Sequence, residues 1–72
     1  MKLSDLKPGD KLVADGGFKC LKAGEILTVQ AFDRYNETRD PSELFVACRN
    51  GQHYLDGQLN DNGELVGFTR LS

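Results

Sequence analysis

Short segments in which apolar and polar residues alternate recur along this chain. Leu27, Val29 and Ala31 occupy one set of alternate positions, and Thr28 and Gln30 occupy the other. An alternation with a period of two is typical of a strand that buries one face. We predict strands at residues 11–15, 26–32, 43–48, 52–56 and 65–71. No apolar pattern of helical period extends over three turns, so we expect an all-β domain.

Turn-forming residues separate most of these segments. Pro8-Gly9 suits the two central positions of a type II turn before the first strand. Residues 22–25 are expected to turn the chain into the second strand, and Asn62-Gly63 into the last one. Residues 33–42 are polar and contain Pro41, which predicts a surface loop that is either mobile or used for binding.

The third and fourth strands are expected to form a hairpin around Asn50-Gly51. This dipeptide suits a two-residue type I′ loop, in which both central residues have positive φ. With that loop, Cys48 would lie opposite His53. A thiol and an imidazole would then be neighbours on one face of the hairpin.

The length of the chain limits the functions that it can support. Its 72 residues are enough for a single core, so we expect one small five-stranded barrel that spans residues 1–72. A chain of this size buries only about 60% of the surface that its unfolded form exposes. A deep substrate pocket is therefore not expected, and a binding or assembly module is favoured over an enzyme.

The charge of the chain is unevenly distributed. Residues 1–24 carry five lysines against three aspartates, whereas residues 25–72 carry four arginines against eight acidic residues. Duplex binding normally requires a clear excess of basic residues on one face. The alternative to a protein-binding module is therefore a nucleic-acid-associated barrel that uses the basic N-terminal third. Its candidate residues are Lys7, Lys11, Lys19 and Lys22.

The expected compartment follows from the apolar segments. No apolar run approaches the ~18 residues that a membrane span needs, and no hydrophobic segment follows Met1-Lys2 to act as a signal peptide. We therefore expect a cytoplasmic protein without membrane contact. In that compartment Cys20 and Cys48 are expected to be reduced thiols.

Cys48 and His53 are the main candidates for chemistry. A histidine can deprotonate a neighbouring thiol, but catalysis also needs an orienting group, and Asp56 is the only acid close in sequence. A metal site would combine both residues with Cys20 and with Asp15 or Asp56. The chain lacks a closely spaced cysteine pair, so neither catalysis nor a metal or other cofactor is expected.

Three aromatic residues are candidates for a contact surface: Tyr35, Phe45 and Tyr54. If the aliphatic residues beside Phe45 face the core, alternation turns Phe45 and Tyr54 outward as neighbours across the hairpin. A register shifted by one residue would bury both rings instead. We expect the outward arrangement to form a protein-contact surface together with the loop at residues 33–42.

Residues 22–29, Lys-Ala-Gly-Glu-Ile-Leu-Thr-Val, carry a family resemblance. They resemble the diverging turn and second strand of Src-homology-three domains, which commonly read Lys-x-Gly-acid-x-Leu-x-Val. Asn50-Gly51 also falls where that fold has its distal turn. The resemblance covers about 30 residues and implies a Src-homology-three-like small barrel. The chain is also similar to short bacterial and phage proteins that open with a Pro-Gly-Asp turn into a small barrel, which implies no activity.

The ligand-binding residues of Src-homology-three domains are not matched. Leu12-Val13-Ala14-Asp15-Gly16 stands where the family has an aromatic first-strand motif, and Leu44-Phe45 stands where it has paired tryptophans. Its Pro-Ser-Asn-Tyr segment has no counterpart at residues 56–59. These groups form the groove for proline-rich ligands, so that activity is not expected here.

Overall fold

A computed structural model describes residues 1–16, 21–48 and 51–71 of the chain. Five strands form one antiparallel sheet in the order β4-β3-β2-β1-β5. Their bounds are Lys11–Ala14 for β1, Ile26–Ala31 for β2, Leu44–Cys48 for β3, Gly51–Tyr54 for β4 and Phe68–Arg70 for β5. The all-β class and the five strands are confirmed. The sheet is not closed within the described ranges, so the barrel stays a prediction.

The turn at Pro8-Gly9 is held against the neighbouring strand. Gly9 has a φ of 101°, which is the conformation that the third position of a type II turn requires. Its N–H donates to the carbonyl of Val29 (2.8 Å), and the N–H of Val29 donates to the carbonyl of Asp10 (2.8 Å). The turn therefore extends the β1–β2 ladder by one step.

The hairpin of β3 and β4 has a different register from the predicted one. Phe45 pairs with Tyr54 as expected, but His53 lies opposite Val46, and Cys48 lies opposite Gly51. The prediction that Cys48 faces His53 is therefore wrong. A shift by two positions leaves every side chain on its own face, so alternation could not separate the two registers. Residue 50 of the predicted turn lies outside the described residues.

The predicted last strand is divided between two pairings. Leu65 forms a bridge with Leu59, and its N–H donates to the carbonyl of Met1 (2.7 Å). After Gly67, whose φ is 86°, the chain joins β1 as β5. The positive φ at Gly67 redirects the backbone, which explains why one extended segment serves two separate pairings.

Residues 33–42 are more structured than a simple surface loop. They contain a one-turn helix, α1, at Tyr35–Thr38, followed by a 3₁₀ turn at Pro41–Glu43. Asp40 caps this second turn, since its carboxylate accepts from the N–H (3.0 Å) and the hydroxyl (2.8 Å) of Ser42. No helix in the described part of the chain is long and apolar enough to cross a membrane.

One face of the sheet packs against the connecting segments to form the core. Leu27 and Val29 of β2 are buried there, as their alternation predicts. The other buried members of this cluster are Leu3, Leu6, Leu12, Ala14, Leu21, Tyr35, Leu44, Val46, Leu55, Leu65 and Phe68. The opposite face of β2, β3 and β4 carries exposed side chains, and the candidate site lies on that face.

Candidate functional site

Three aromatic rings pack together on the exposed face of the sheet. We call Phe32, Phe45 and Tyr54 the aromatic cluster. The ring centroids of Phe32 and Phe45 are 5.1 Å apart, and each of these rings lies 6.1 Å from that of Tyr54. These separations fall within the range of favourable aromatic pairs, so the three side chains form one continuous apolar surface.

The strand pairing explains why these rings meet. Phe45 lies opposite Gln30 of β2 on one side and opposite Tyr54 of β4 on the other. Phe32 follows two residues after Gln30, and residues two apart in a strand point to the same face. The cluster therefore depends on three strands that are brought together only in the folded sheet.

The three rings are not equally accessible. Phe45 is only 7% exposed, whereas Phe32 is 40% and Tyr54 41% exposed. The hydroxyl of Tyr54 donates to Oε1 of Gln52 (3.0 Å), which holds the phenol ring along the sheet. Phe45 thus forms the base of the cluster, and the two outer rings present their surfaces to solvent.

Phe45 and Tyr54 lie opposite each other across the hairpin as expected, but only Tyr54 is exposed, because the neighbouring rings cover Phe45. Sequence reasoning did not select Phe32. The alternation that placed Thr28 and Gln30 on one face of the second strand extends to residue 32, and this signal could have identified it.

Tyr35 does not join the aromatic cluster. It is 8% exposed, belongs to the core, and lies beneath the guanidinium of Arg39, whose Cζ is 5.8 Å from the ring centroid. The expectation that Tyr35 lies on an exposed contact surface is therefore wrong. Helix α1 turns its side chain inward, which the polar character of residues 33–42 does not reveal.

The carboxylate of Glu43, which sequence reasoning did not single out, directly follows the loop at residues 33–42. Glu43 is the one buried charged residue among those described. Its Oε2 accepts from the hydroxyl of Thr38 (2.9 Å), and its Oε1 lies 3.7 Å from Nε of Arg34. These contacts hold α1 against the start of β3, next to Phe45. The burial of a carboxylate together with its hydrogen-bonding partners depends on tertiary contacts, so it cannot be recognised from the neighbouring residues in the sequence.

The aromatic cluster belongs to a larger uncharged surface. We call the outward positions of β2, β3 and β4, together with Phe32, the outer strip. Its members are Ile26, Thr28, Gln30, Phe32, Phe45, Ala47, Gln52 and Tyr54. Lys11 of β1 lies beside the strip, where its ammonium donates to the hydroxyl of Thr28. As far as residues 21–48 and 51–71 define it, the strip therefore combines apolar, hydroxyl and amide side chains without a charge of its own.

Among the described lysines of the nucleic-acid alternative, Lys7 precedes the same end of β1 as Lys11, but Lys22 does not lie with them. Lys11 begins β1, whereas the turn that contains Lys22 lies beside the other end of this strand. There the N–H of Gly24 donates to the carbonyl of Ala14 (2.7 Å). The strand separates the two positions by about 10 Å. Lys19 lies outside the described residues.

Cys48 and His53 do not form the predicted pair. Cys48 is disulfide-bonded, so the expectation of a reduced thiol is wrong for this residue, and Cys20 lies outside the described residues. A disulfide sulfur lacks the thiolate that nucleophilic chemistry needs. The ring of His53 instead lies near that of Phe68, with 6.4 Å between the centroids.

Neither a metal site nor a pocket occurs among the described residues. Within residues 1–16, 21–48 and 51–71, no three histidine, cysteine or acidic side chains come close enough together to hold a metal ion. The same ranges enclose no pocket.

Comparison with known proteins gives no relative from which a function could be transferred. No protein-family model matches the chain, and neither the curated proteins nor the solved structures include a significant match.

Proposed function

We propose that this chain is a non-enzymatic protein-binding or assembly module whose contact surface is centred on the aromatic cluster. The observation that carries the proposal is the exposure of Phe32 and Tyr54 around the buried Phe45. Exposed apolar patches of this kind mark contact sites, and aromatic residues are enriched at the centres of interfaces. The outer rings are held in place before binding, so little side-chain entropy is lost on contact.

The described residues of the outer strip carry no charge, which favours a protein partner over nucleic acid. Interface centres between proteins are depleted of charged residues. Binding to single-stranded nucleic acid instead requires cations that follow the phosphate backbone beside the stacking aromatics. Among the described residues, Lys11 contacts the edge of the strip, where it donates to Thr28. The alternative function therefore has less support than protein binding.

A Src-homology-three-like barrel is a finer part of the proposal, whereas the cytoplasmic location expected from the sequence is not carried into it. The first is supported by the turn at residues 22–25, where the N–H of Glu25 donates to the carbonyl of Lys22 (3.1 Å) before β2 begins. The disulfide at Cys48 argues against the second, because disulfides are rare in the cytoplasm. Detection of the chain in fractionated host cells tests the location directly.

Site-specific photo-crosslinking in the native host tests the proposed function. Tyr54 is replaced by the photoreactive residue p-benzoylphenylalanine, and the control replaces Leu59, which is exposed to a similar degree (37%) away from the strip. We expect protein adducts from position 54 that are absent from position 59. Identical adducts from both positions, no protein adduct at all, or adducts to nucleic acid at position 54 would each contradict the proposal.

A further inference from the structure

We propose that the partner of this module binds as an extended segment that pairs with the outer edge of β4 and adds a sixth strand to the sheet. This inference rests on the proposed function and specifies the conformation in which the partner is recognised. It follows from the direction of the backbone hydrogen-bonding groups of β4 and from the position of Tyr54 beside them.

The hydrogen bonds of β2 determine which way the backbone groups of its neighbours point. Val29 uses both of its backbone groups toward β1, since its N–H donates to the carbonyl of Asp10 and its carbonyl accepts from the N–H of Gly9 (2.8 Å each). Successive residues of a strand bond to opposite neighbours, so the next residue, Gln30, bonds toward β3. Gln30 lies opposite Phe45, and Phe45 therefore bonds back toward β2.

The same alternation identifies the groups at the outer edge of the sheet. Val46 follows Phe45 and therefore bonds toward β4, where it lies opposite His53. The residues on either side of His53, which are Gln52 and Tyr54, direct their backbone groups away from β3. β4 stands at one end of the strand order, and within the described residues no strand pairs with its outer side. The outer edge of β4 thus presents backbone donors and acceptors two residues apart.

An extended backbone matches these groups, and a helix does not. They repeat at about 7 Å along β4, which is also the repeat of an added strand. A residue placed opposite Gln52 can exchange two hydrogen bonds with it, and the N–H of Tyr54 offers a further donor. A helix uses its own backbone groups internally. The sequence of β4, Gly-Gln-His-Tyr, also lacks the lysine and proline residues with which proteins often block such edges.

Tyr54 determines which side chain the added strand must carry. Its ring is 41% exposed and lies at the border of the aromatic cluster, next to the outer edge. A residue paired with Tyr54 places its side chain on the same face, with the two Cβ atoms about 5 Å apart. An apolar or aromatic side chain at this position would extend the aromatic cluster across the new ladder. Because β4 has only four residues, this contact must supplement the hydrogen bonds of a short ladder.

Pairing of β4 with a second copy of this chain would not supply that contact. The two-fold antiparallel register that uses both outward residues places Gln52 of each copy opposite Tyr54 of the other, and it brings the two His53 side chains together. The amide oxygen of Gln52 already accepts from the Tyr54 hydroxyl of its own chain (3.0 Å). Each ring would then face an amide instead of an apolar side chain. An extended segment of another protein is therefore the occupant that fits the edge.

Selection from a displayed library of random linear peptides of about 12 residues tests the added strand. The folded protein serves as the target, and NMR measures the hydrogen exchange of its backbone amides with and without each selected peptide. The amides of Gln52 and Tyr54 should exchange at least tenfold more slowly in the complex, because they gain hydrogen bonds. The amide of His53, which belongs to the β3–β4 ladder, is the control and should be protected in both samples.

Substitutions at Gln52 separate its backbone from its side chain. Gln52→Pro removes the outward N–H but no bond of the β3–β4 ladder, so the variant should fold and should bind the peptides at least tenfold more weakly. Gln52→Val also changes the side chain but keeps the N–H, and it should bind more tightly than Gln52→Pro. Leu59→Ser, away from β4, should leave binding unchanged. If Gln52→Pro does not fold, the exchange of the Gln52 amide in the unaltered protein decides the question.

Different outcomes separate this inference from the proposed function. Peptides that bind without protecting the amide of Gln52, or a library that yields no binding peptide, would overturn the added strand, whereas the adducts from position 54 test the contact surface independently. A dimer that Gln52→Pro dissociates, observed by analytical ultracentrifugation, would identify a second copy as the occupant and overturn the inference. Loss of both the peptides and the adducts from position 54 would overturn the inference and the proposed function together.

Discussion

Phe45 lies directly opposite Tyr54 across the β3–β4 ladder, with their ring centroids 6.1 Å apart and their planes at 63°. This edge-to-face contact covers one side of Phe45, and Phe32 covers another. The same pair thus supports the outer face of the sheet and presents an accessible ring for binding. Within the aromatic cluster, the buried Phe45 contributes to stability, whereas Phe32 and Tyr54 present the surface proposed for recognition.

Replacing the base of the cluster should destabilise the protein. Phe45→Ala removes a side chain that is almost fully buried and leaves a gap between two rings, which should lower the free energy of unfolding by about 3 kcal/mol. Urea denaturation followed by far-ultraviolet circular dichroism measures the change. Phe45→Leu, which retains most of the volume, is the matched control and should cost less. An unchanged midpoint for Phe45→Ala would show that the ring is not part of the packed structure.

Replacing the two outer rings should separate binding from folding. Phe32→Ser combined with Tyr54→Ser removes side chains that are already partly exposed, so the loss of stability should be clearly smaller than that of Phe45→Ala. The partner adducts expected from the proposed function should disappear when a photoreactive residue is placed at Gln52 in this background. Persistent adducts in a folded double variant would exclude the outer rings as the contact.

Replacing Gly51 by any residue that has a side chain should lower the stability of the protein. Its φ of 128° is unfavourable for residues with a Cβ, although an added Cβ would meet no atom within 4 Å. Gly51→Ala should therefore cost about 1–2 kcal/mol through backbone strain alone. Gly57 has the same open space without a positive φ, so Gly57→Ala is a matched control that should change stability little. Equal denaturation midpoints for the two variants would contradict the backbone conformation at Gly51.

Asp40 should make stability depend on pH in the acidic range. Hydrogen bonds from Ser42 hold the pKa of the Asp40 carboxyl below its ordinary value; the bond from the N–H has the larger effect and the bond from the hydroxyl the smaller. The charge of Arg34 lowers this pKa further. The ordinary pKa of aspartate is about 3.9. Because the pKa is lower in the folded state, this stabilisation is present above that value and is lost as the pH falls through the folded-state pKa.

A titration followed by NMR measures the pKa of Asp40 directly. Ser42→Ala removes the hydroxyl donor but keeps the N–H, so the pKa of Asp40 should rise only part of the way to its ordinary value. Thr69→Ala, which removes a hydroxyl that donates to Asp15 instead, is the control and should leave the pKa of Asp40 unchanged. A pKa of Asp40 that Ser42→Ala does not move would contradict the capping arrangement.

Reduction should destabilise the protein, because Cys48 is disulfide-bonded. The disulfide restricts the unfolded chain, and its loss typically costs about 2–4 kcal/mol. Thermal unfolding with and without a dithiol reductant should show a lower melting temperature in the reduced sample. Cys48→Ser should reproduce this loss and become insensitive to the reductant. Alkylation of the untreated, unfolded protein at Cys48 would reveal a free thiol and refute the disulfide.

The local features of this protein were determined by its sequence. The alternation of residues 26–31 identified β2 and its buried face, and Gly9 and Gly24 identified the turns on either side of β1. These features depend on the conformational preferences of a few consecutive residues. They can therefore be recognised without knowledge of the rest of the chain.

Features that join distant segments were decided by the tertiary structure. The register that pairs Phe45 with Tyr54, the addition of Phe32 to their rings and the burial of Tyr35 each depend on contacts between separate elements. Alternation assigns a side chain to a face but does not choose between registers that differ by two residues. The residues around Tyr35 are polar, so the sequence does not indicate that the Tyr35 side chain is buried. This burial arises only when α1 packs on the core. The sequence by itself therefore determined the presence of five strands and the turns at Gly9 and Gly24, and only the packed sheet assembled the aromatic surface.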